Sequence, residues 1–266
     1  MKPTILLYDS GMGGLTVYDE IRKVLPNAYY LYCFDNAFFP YSEKSEAVLI
    51  TRAVKIVQKI AEKRPLDMVV VACNTASTVV LPALREHFSF PIVGTVPAIK
   101  PAAEVSQTKT IGLLATKGTV TRPYVAELIE KYAQDCVVEK IGTTDLVEIV
   151  EEKQRTGKVD MNRLLNVVEE WKNHPTLDTI ILGCTHFPLV KAELKQILPN
   201  VRYFVDPGIG IAKRVVSLLE TQGVAQSQYG RNTPNEAFCT SQGDDLVIKQ
   251  KIMQQSGFNQ LSVLDI

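Results

Sequence analysis

Four apolar residues at positions 69–72, VVVA, run into Cys73 and then into a small polar turn of Asn74, Thr75, Ala76 and Ser77. A continuous apolar run of this length, stopped by a turn signal, is the pattern of a strand covered on both faces, which a parallel sheet between helices provides. A cysteine at the carboxyl end of such a strand lies where open α/β sheets place their ligands. Asn74, Thr75 and Ser77 offer donors at the start of the next helix. The same plan recurs at 179–182, TIIL, followed by Gly183, Cys184, Thr185 and His186.

The segments between follow an alternating strand and helix pattern. A strand at 5–8 ends at Asp9, a glycine-rich turn occupies 10–14, and 15–24 has helical periodicity. A strand at 29–34 and a loop at 35–42 precede an amphipathic helix at 45–63, with Val48, Ala53, Ile56, Val57 and Ile60 along one side. After a short strand at 91–94, Pro97 and Pro101 punctuate the chain as a hinge or boundary. A second unit then reads as a strand at 110–115, a helix at 122–133, a strand at 137–141, helices at 145–153 and 161–172, the second cysteine strand, and a strand at 201–205. In each unit a strand, turn and helix come first and the cysteine strand later, a weak internal repeat. The expectation is two similar three-layer α/β domains with mainly parallel sheets, pseudo-two-fold related, with the active site in the cleft between them. The tail is helical at 209–221, continues as a loop, and ends in strands at 237–240 and 261–264. It is expected to rejoin the first domain. The first domain is then 1–97 plus 209–266 and carries Cys73; the second is 98–208 and carries Cys184.

Lys and Arg number 29, as do Asp and Glu. That balance argues against nucleic acid or an anionic membrane as the main partner, since both attract a basic surface. The apolar run at 5–8 is too short for a signal-peptide core, and no run approaches the ~18 residues of a membrane span. The five cysteines have no close pairs. Free thiols in the cytoplasm are expected rather than a disulfide framework or a structural metal site.

Cys33, Cys136 and Cys239 sit in apolar strands and read as packed small hydrophobes. Cys73 and Cys184 have polar neighbours and helix starts beside them. That setting favours a thiolate able to act as nucleophile, metal ligand or proton-transfer base. Asp9, at a strand end, could orient a thiol or share its proton. The turn at 10–14 lacks the spacing of dinucleotide and P-loop motifs, and a phosphate cradle and a plain strand-to-helix turn are equal readings of it. His186, two residues past Cys184, could deprotonate that thiol or act as an acid beside it. Thr75, Thr116, Thr119 and Thr185 offer hydroxyls for a carboxylate, though each alone could cap a helix. Tyr41, in a Pro-Tyr-Ser turn, is expected to be exposed and to contact a ligand.

These residues together resemble the cofactor-independent aspartate/glutamate racemase family, glutamate racemases in particular. The resemblance rests on Asp9, Ser10, Gly11, Gly13 and Gly14, on Pro40 and Tyr41, on Cys73, Asn74, Thr75 and Ala76, and on Gly183, Cys184, Thr185, His186 and Pro188. They occur in the family's order over roughly residues 4–210. It implies an enzyme of peptidoglycan synthesis that interconverts L- and D-glutamate with no cofactor and no metal. One cysteine removes the α-proton and the other delivers a proton to the opposite face. By resemblance, Cys73 acts on D-glutamate with help from Asp9, and Cys184 acts on L-glutamate with help from His186. Ser10, Tyr41, Ser42, Asn74, Thr75, Thr116, Thr119, Thr185 and His186 line the substrate. Ser42 stands where the family usually has glycine. A supporting glutamate beside the second thiol matches Glu151 or Glu152. The family also implies a homodimer.

Racemisation needs one base on each face of the α-carbon, and duplicated domains supply two. Three other readings remain open on the sequence. They are an aspartate racemase of the same family, a zinc hydrolase using Cys73, Cys184, His186 and Asp9 as ligands, and a two-lobed amino-acid binding module that needs neither thiol.

Overall fold

The structure, a computed structural model, describes residues 3–222 and 234–266. The chain divides into two compact units, one of Met1–Thr95 with Gly208–Ile266 and one of Val96–Pro207. The loop expected after Thr221 falls on residues 223–233, outside the described residues.

The first unit begins with β1 (Thr4–Asp9), α1 (Leu15–Val24), β2 (Tyr29–Phe34), α2 (Glu46–Lys63), β3 (Met68–Val71), α3 (Asn74–Ser77), α4 (Leu81–His87) and β4 (Ile92–Gly94). The second unit follows with α5 (Ile99–Val105), β5 (Thr110–Ala115), α6 (Lys117–Val120), α7 (Pro123–Tyr132), β6 (Val137–Gly142), α8 (Asp145–Thr156), α9 (Met161–Val168), β7 (Thr179–Gly183), α10 (Lys191–Ile197) and β8 (Tyr203–Val205). The chain then returns to the first unit as α11 (Gly208–Gln222), β9 (Asn235–Cys239), α12 (Leu246–Gln255) and β10 (Phe258–Val263).

The first sheet has strand order β10-β9-β2-β1-β3-β4 and the second β6-β5-β7-β8. Every pairing in both is parallel. Counted from its own first strand, each unit repeats the order second, first, third, fourth. The duplication suggested by the cysteine strands is therefore present in the topology. In each sheet the order reverses between the first and third strands, and that switch point is where α/β sheets open a ligand crevice.

Helices cover both faces of the first sheet because successive strand residues point opposite ways. Ile5 and Leu7 of β1 pack with Leu15, Tyr18 and Ile21 of α1 and Ile211, Val215 and Leu219 of α11. Leu6 and Tyr8 pack with Leu49, Ala53, Ile56, Val57 and Ile60 of α2. Leu49 thus takes the place on the apolar face of α2 expected for Val48, which is only half-buried. Ser45 caps α2, its hydroxyl accepting from the Val48 amide at 3.4 Å. In the second sheet, Ile111, Leu113 and Ala115 pack with Ile99 and Ala102 of α5 and Val125 of α7. On Gly112 the Trp171 indole lies so close that an added Cβ would stand 2.9 Å from its ring.

Three further expectations change. Pro97 lies beside the division between the units at Thr95 and Val96, in keeping with a boundary, whereas Pro101 is the third residue of α5. The first helical turn has amides without helical partners, so proline is tolerated there. Cys136 precedes β6 rather than lying within it and is only partly buried where it packs against the core, with its thiol 3.5 Å from the Asp135 carboxylate. The last strand starts at Phe258, ahead of the expected 261.

Candidate active site

The first thiol follows β3 and is 5% exposed. Tyr8 of β1 pairs with Val71 of β3, and the Ala72 amide extends the ladder to the Tyr8 carbonyl at 2.8 Å. Asp9 and Ser10 therefore leave β1 beside Cys73, at the switch point. Ser10 Oγ lies 3.7 Å from Cys73 Sγ. The sulfur also accepts the Ala76 amide at 3.5 Å, capping the turn that follows.

The fully buried Asp9 carboxylate accepts the Ser10 amide at 2.8 Å and the Gly14 amide at 2.6 Å. The amides that would cradle a phosphate thus point at a carboxylate instead, which favours the plain strand-to-helix reading of this turn. Tyr32 OH donates to the Gly11 carbonyl at 3.0 Å. A Cβ on Gly14 would lie 2.7 Å from that hydroxyl and 2.9 Å from Asp9 Oδ2. Glycine is required there for close approach, not for an unusual backbone angle.

Asn74 and Thr75 open α3, both buried. Neither polar atom of the Asn74 side chain has a hydrogen-bond partner. A buried amide left unpaired costs about 1–3 kcal/mol. Ser42 Oγ is likewise buried and unpartnered. Tyr41 departs from expectation. It is 2% exposed, and its hydroxyl is held by Tyr8 and by the Asp35 carboxylate, so its polar tip serves the protein interior rather than solvent.

In the second unit the equivalent positions are Thr116, after β5, and Cys184, after β7, with Ala115 paired to Gly183. Thr116 and Thr119 join hydroxyl to hydroxyl at 2.9 Å. Cys184 is 7% exposed, and its sulfur lies 3.8 Å from His186 Nδ1. His186 Nε2 meets Glu151 Oε1 at 2.7 Å. Glu152 pairs with Arg163 at 3.3 Å instead, so geometry selects Glu151 as the histidine's partner. Thr185, between thiol and imidazole, is buried. Burial alone pulls the His186 pKa down, but the hydrogen bonds with Cys184 and Glu151 outweigh it and hold the imidazole well above its ordinary value. The two thiols thus sit in unlike settings: a hydroxyl and an amide beside Cys73, an imidazolium and its carboxylate beside Cys184.

Among the described residues, no group of three or more His, Cys, Asp or Glu side chains is placed to hold a metal ion. Nor is any described helix long and apolar enough to cross a membrane. Sequence reasoning missed the polar chain behind Tyr41, built on Asp35. The signal was present, because Asp35 ends an apolar strand just as Asp9 does.

The glutamate racemase of Glaesserella parasuis is 74% identical to this chain over 265 residues, covering 100% of it and 98% of the relative. The crystal structure of Escherichia coli glutamate racemase, in complex with L-glutamate and the activator UDP-MurNAc-ala, superposes with a TM-score of 0.94 at 46% identity. The match covers 99% of this chain and 98% of that one. A glutamate racemase isoform from Bacillus anthracis gives a TM-score of 0.82 at 27% identity, covering 99% and 97%. The family model for Asp/Glu/Hydantoin racemase matches residues 12–215. With two thiols at equivalent switch points and these relatives along its whole length, the chain belongs to the Asp/Glu/Hydantoin racemase family.

Proposed function

We propose that this chain is a glutamate racemase working through two thiols, and that it supplies D-glutamate for peptidoglycan synthesis. The observation that carries the reading is the equivalence of Cys73 and Cys184, each following the third strand of a sheet with the same strand order. Cys73 as thiolate takes the α-proton of D-glutamate, and the Cys184 thiol protonates the opposite face. With L-glutamate the roles exchange. The chemistry requires the two sulfurs to flank one α-carbon, because a single base cannot reach both faces.

Negative charge develops on the α-carboxylate as the proton leaves. Donors already in place lower that barrier without reorganising. Asn74, Thr75 and Thr185 are assigned to this task, with Ser10, Ser42, Thr116 and Thr119 completing the lining. The Ser10 hydroxyl and the Ala76 amide contact the Cys73 sulfur, while Asp9 holds the turn that presents Ser10. His186 lies beside the Cys184 sulfur and is itself held by Glu151. Enantiomers have equal free energy in water, so kcat/KM must be equal in the two directions. The unlike settings of the thiols therefore show in kcat and KM separately.

Racemisation in deuterium oxide tests the assignment. The intact chain incorporates solvent deuterium at the α-carbon of the inverted product. Cys73→Ala abolishes inversion yet leaves Cys184 able to exchange the α-proton of L-glutamate with retention. Cys33→Ser keeps full activity. Inversion by Cys73→Ala at the unmodified rate, or equal loss in Cys33→Ser, refutes the two-thiol reading. We further propose a cytoplasmic homodimer, which light scattering of the purified chain checks. Activation by UDP-MurNAc-ala, as in the Escherichia coli relative, is tested by adding that compound to the assay.

A further inference from the structure

Behind the first thiol runs a buried polar chain to which the racemase reading gives no part. Asp35 directly follows β2 and is fully buried. Its Oδ2 accepts Tyr41 OH at 2.7 Å and Arg52 Nε at 3.1 Å; its Oδ1 accepts Arg52 Nη2 and Thr240 Oγ1, each at 2.6 Å. Tyr41 OH in turn meets Tyr8 OH, and Tyr8 lies in one apolar cluster with Cys73. Arg52 stacks on the Phe38 ring at 4.1 Å. Asn36 Oδ1 accepts the amides of Thr240 and Ser241, both at 3.0 Å, tying the same loop to the chain after β9.

Such a set is expensive to bury. A carboxylate and a guanidinium taken out of water regain little net stability from each other, and apolar residues of the same volume commonly do as well. What the set provides is a fixed place for one short turn. Tyr41 begins a 3-10 turn, Tyr41–Glu43, that packs against α3. That contact brings Ser42, with its unpartnered buried hydroxyl, to the element that starts with Asn74, whose amide is also unpartnered. Two unpartnered buried polar side chains of the first unit thus lie on the turn that Asp35 anchors and on the helix packed against it.

We propose that Asp35, acting through Tyr41, is a positioning residue that holds the Ser42 turn against the Cys73–Asn74 segment for substrate binding. Arg52 and Thr240 fix the carboxylate in turn, so the returning carboxyl-terminal segment helps to build a substrate site it does not itself line. The proposal rests on the racemase reading, and the test separates the two.

Racemisation of both glutamate enantiomers is followed for the intact chain and for Tyr41→Phe, Asp35→Asn, the double variant and Tyr29→Phe. Tyr41→Phe keeps the ring and removes only the hydroxyl that links Asp35 to Tyr8. It raises KM about tenfold in both directions, the scale of one lost buried hydrogen bond, with kcat within about threefold. Asp35→Asn does the same, and the double variant is no worse than either single, because both cut one linkage. Tyr29→Phe removes a hydroxyl on β2, the strand that Asp35 follows, which bonds Glu236 instead, and it leaves KM unchanged. Should Asp35→Asn fail to fold, Tyr41→Phe carries the test alone. A fall in Tm with KM unmoved in Tyr41→Phe overturns the proposal, leaving the network a purely structural one. Racemisation of neither enantiomer by the intact chain overturns the racemase reading and this proposal with it.

Discussion

Glu151→Gln isolates one charge. The carboxylate lies 2.7 Å from His186 Nε2, with 28% of its side chain exposed against 3% for the imidazole. Unit charges centred about 4 Å apart interact by about 4 kcal/mol at an effective dielectric of about 20. Water at the exposed side of Glu151 screens part of this, leaving about 1–2 kcal/mol. Glutamine keeps an oxygen for the hydrogen bond but not the charge, so the imidazolium loses that amount of support. The expected result is a five- to thirtyfold fall in kcat, about what 1–2 kcal/mol gives. The pH profile adds a sign. Glu151 is one of two groups raising the His186 pKa, so its neutralisation lowers that pKa and moves the alkaline limb of kcat to lower pH. Circular dichroism of the evolving glutamate enantiomer, at a series of pH values, measures both. Stability follows the same linkage. A raised imidazole pKa contributes stability that is full below the unfolded value of about 6.5 and is lost as pH rises through the folded value. The Tm deficit of Glu151→Gln is therefore greatest near pH 6 and shrinks in alkaline buffer. Glu152→Gln, which touches only the exposed Arg163 pair, is the control. An unmoved alkaline limb with unchanged kcat, or a limb moved upward, refutes the reasoning.

Two further perturbations probe the second sheet. Gly112→Ala drives a methyl into the Trp171 indole, 2.9–3.1 Å from three of its ring carbons, at a cost of about 1–3 kcal/mol; Trp171 is the only tryptophan, so its fluorescence spectrum shifts together with Tm, and an unchanged spectrum contradicts the packing. Asp178→Asn disturbs a carboxylate that accepts Ser106 Oγ and the Gln107 amide at 2.7 Å, the Thr108 amide at 3.0 Å and Thr179 Oγ1 at 2.7 Å. Burial raises the Asp178 pKa, but those hydrogen bonds outweigh it and hold the value below the ordinary carboxylate range. Its stabilisation is therefore present above about pH 4 and lost as pH falls through the lowered value, so the Tm gap between the variant and the intact chain closes in acid.

The alternation of strands and helices and the placing of both cysteines after strands were legible because each depends on short-range pattern. The run at 69–72 has to be buried on both faces, and a turn residue after it has to lie at the strand's carboxyl end. The α2 face was read one residue out, because Val48 and Leu49 are both apolar and only tertiary packing decides which points inward. Pro101 concealed α5, since proline breaks a helix in mid-course but not in its first turn. Tyr41 was misplaced because a Pro-Tyr-Ser turn signals a surface loop, whereas a carboxylate six positions earlier and an arginine eleven positions later draw its hydroxyl inward. Long-range polar pairings of this kind leave no periodic trace. The choice between Glu151 and Glu152 had the same origin. Adjacent helix residues point about 100° apart, and the sequence does not say which of them finds the imidazole.

The interleaved course of the chain bears on how it is made. β2 gains its outer neighbour only when β9 arrives, after the whole of the second unit has been laid down. On a ribosome, the contiguous Val96–Pro207 unit can therefore reach its native pairing while the first sheet still has an open edge at β2. That edge is a long run of unpaired backbone groups on apolar residues, the kind of surface that chaperones shield and that neighbouring nascent chains pair with. The vulnerable interval in this protein's biosynthesis is the wait for β9, and its length is set by how fast the intervening unit is translated.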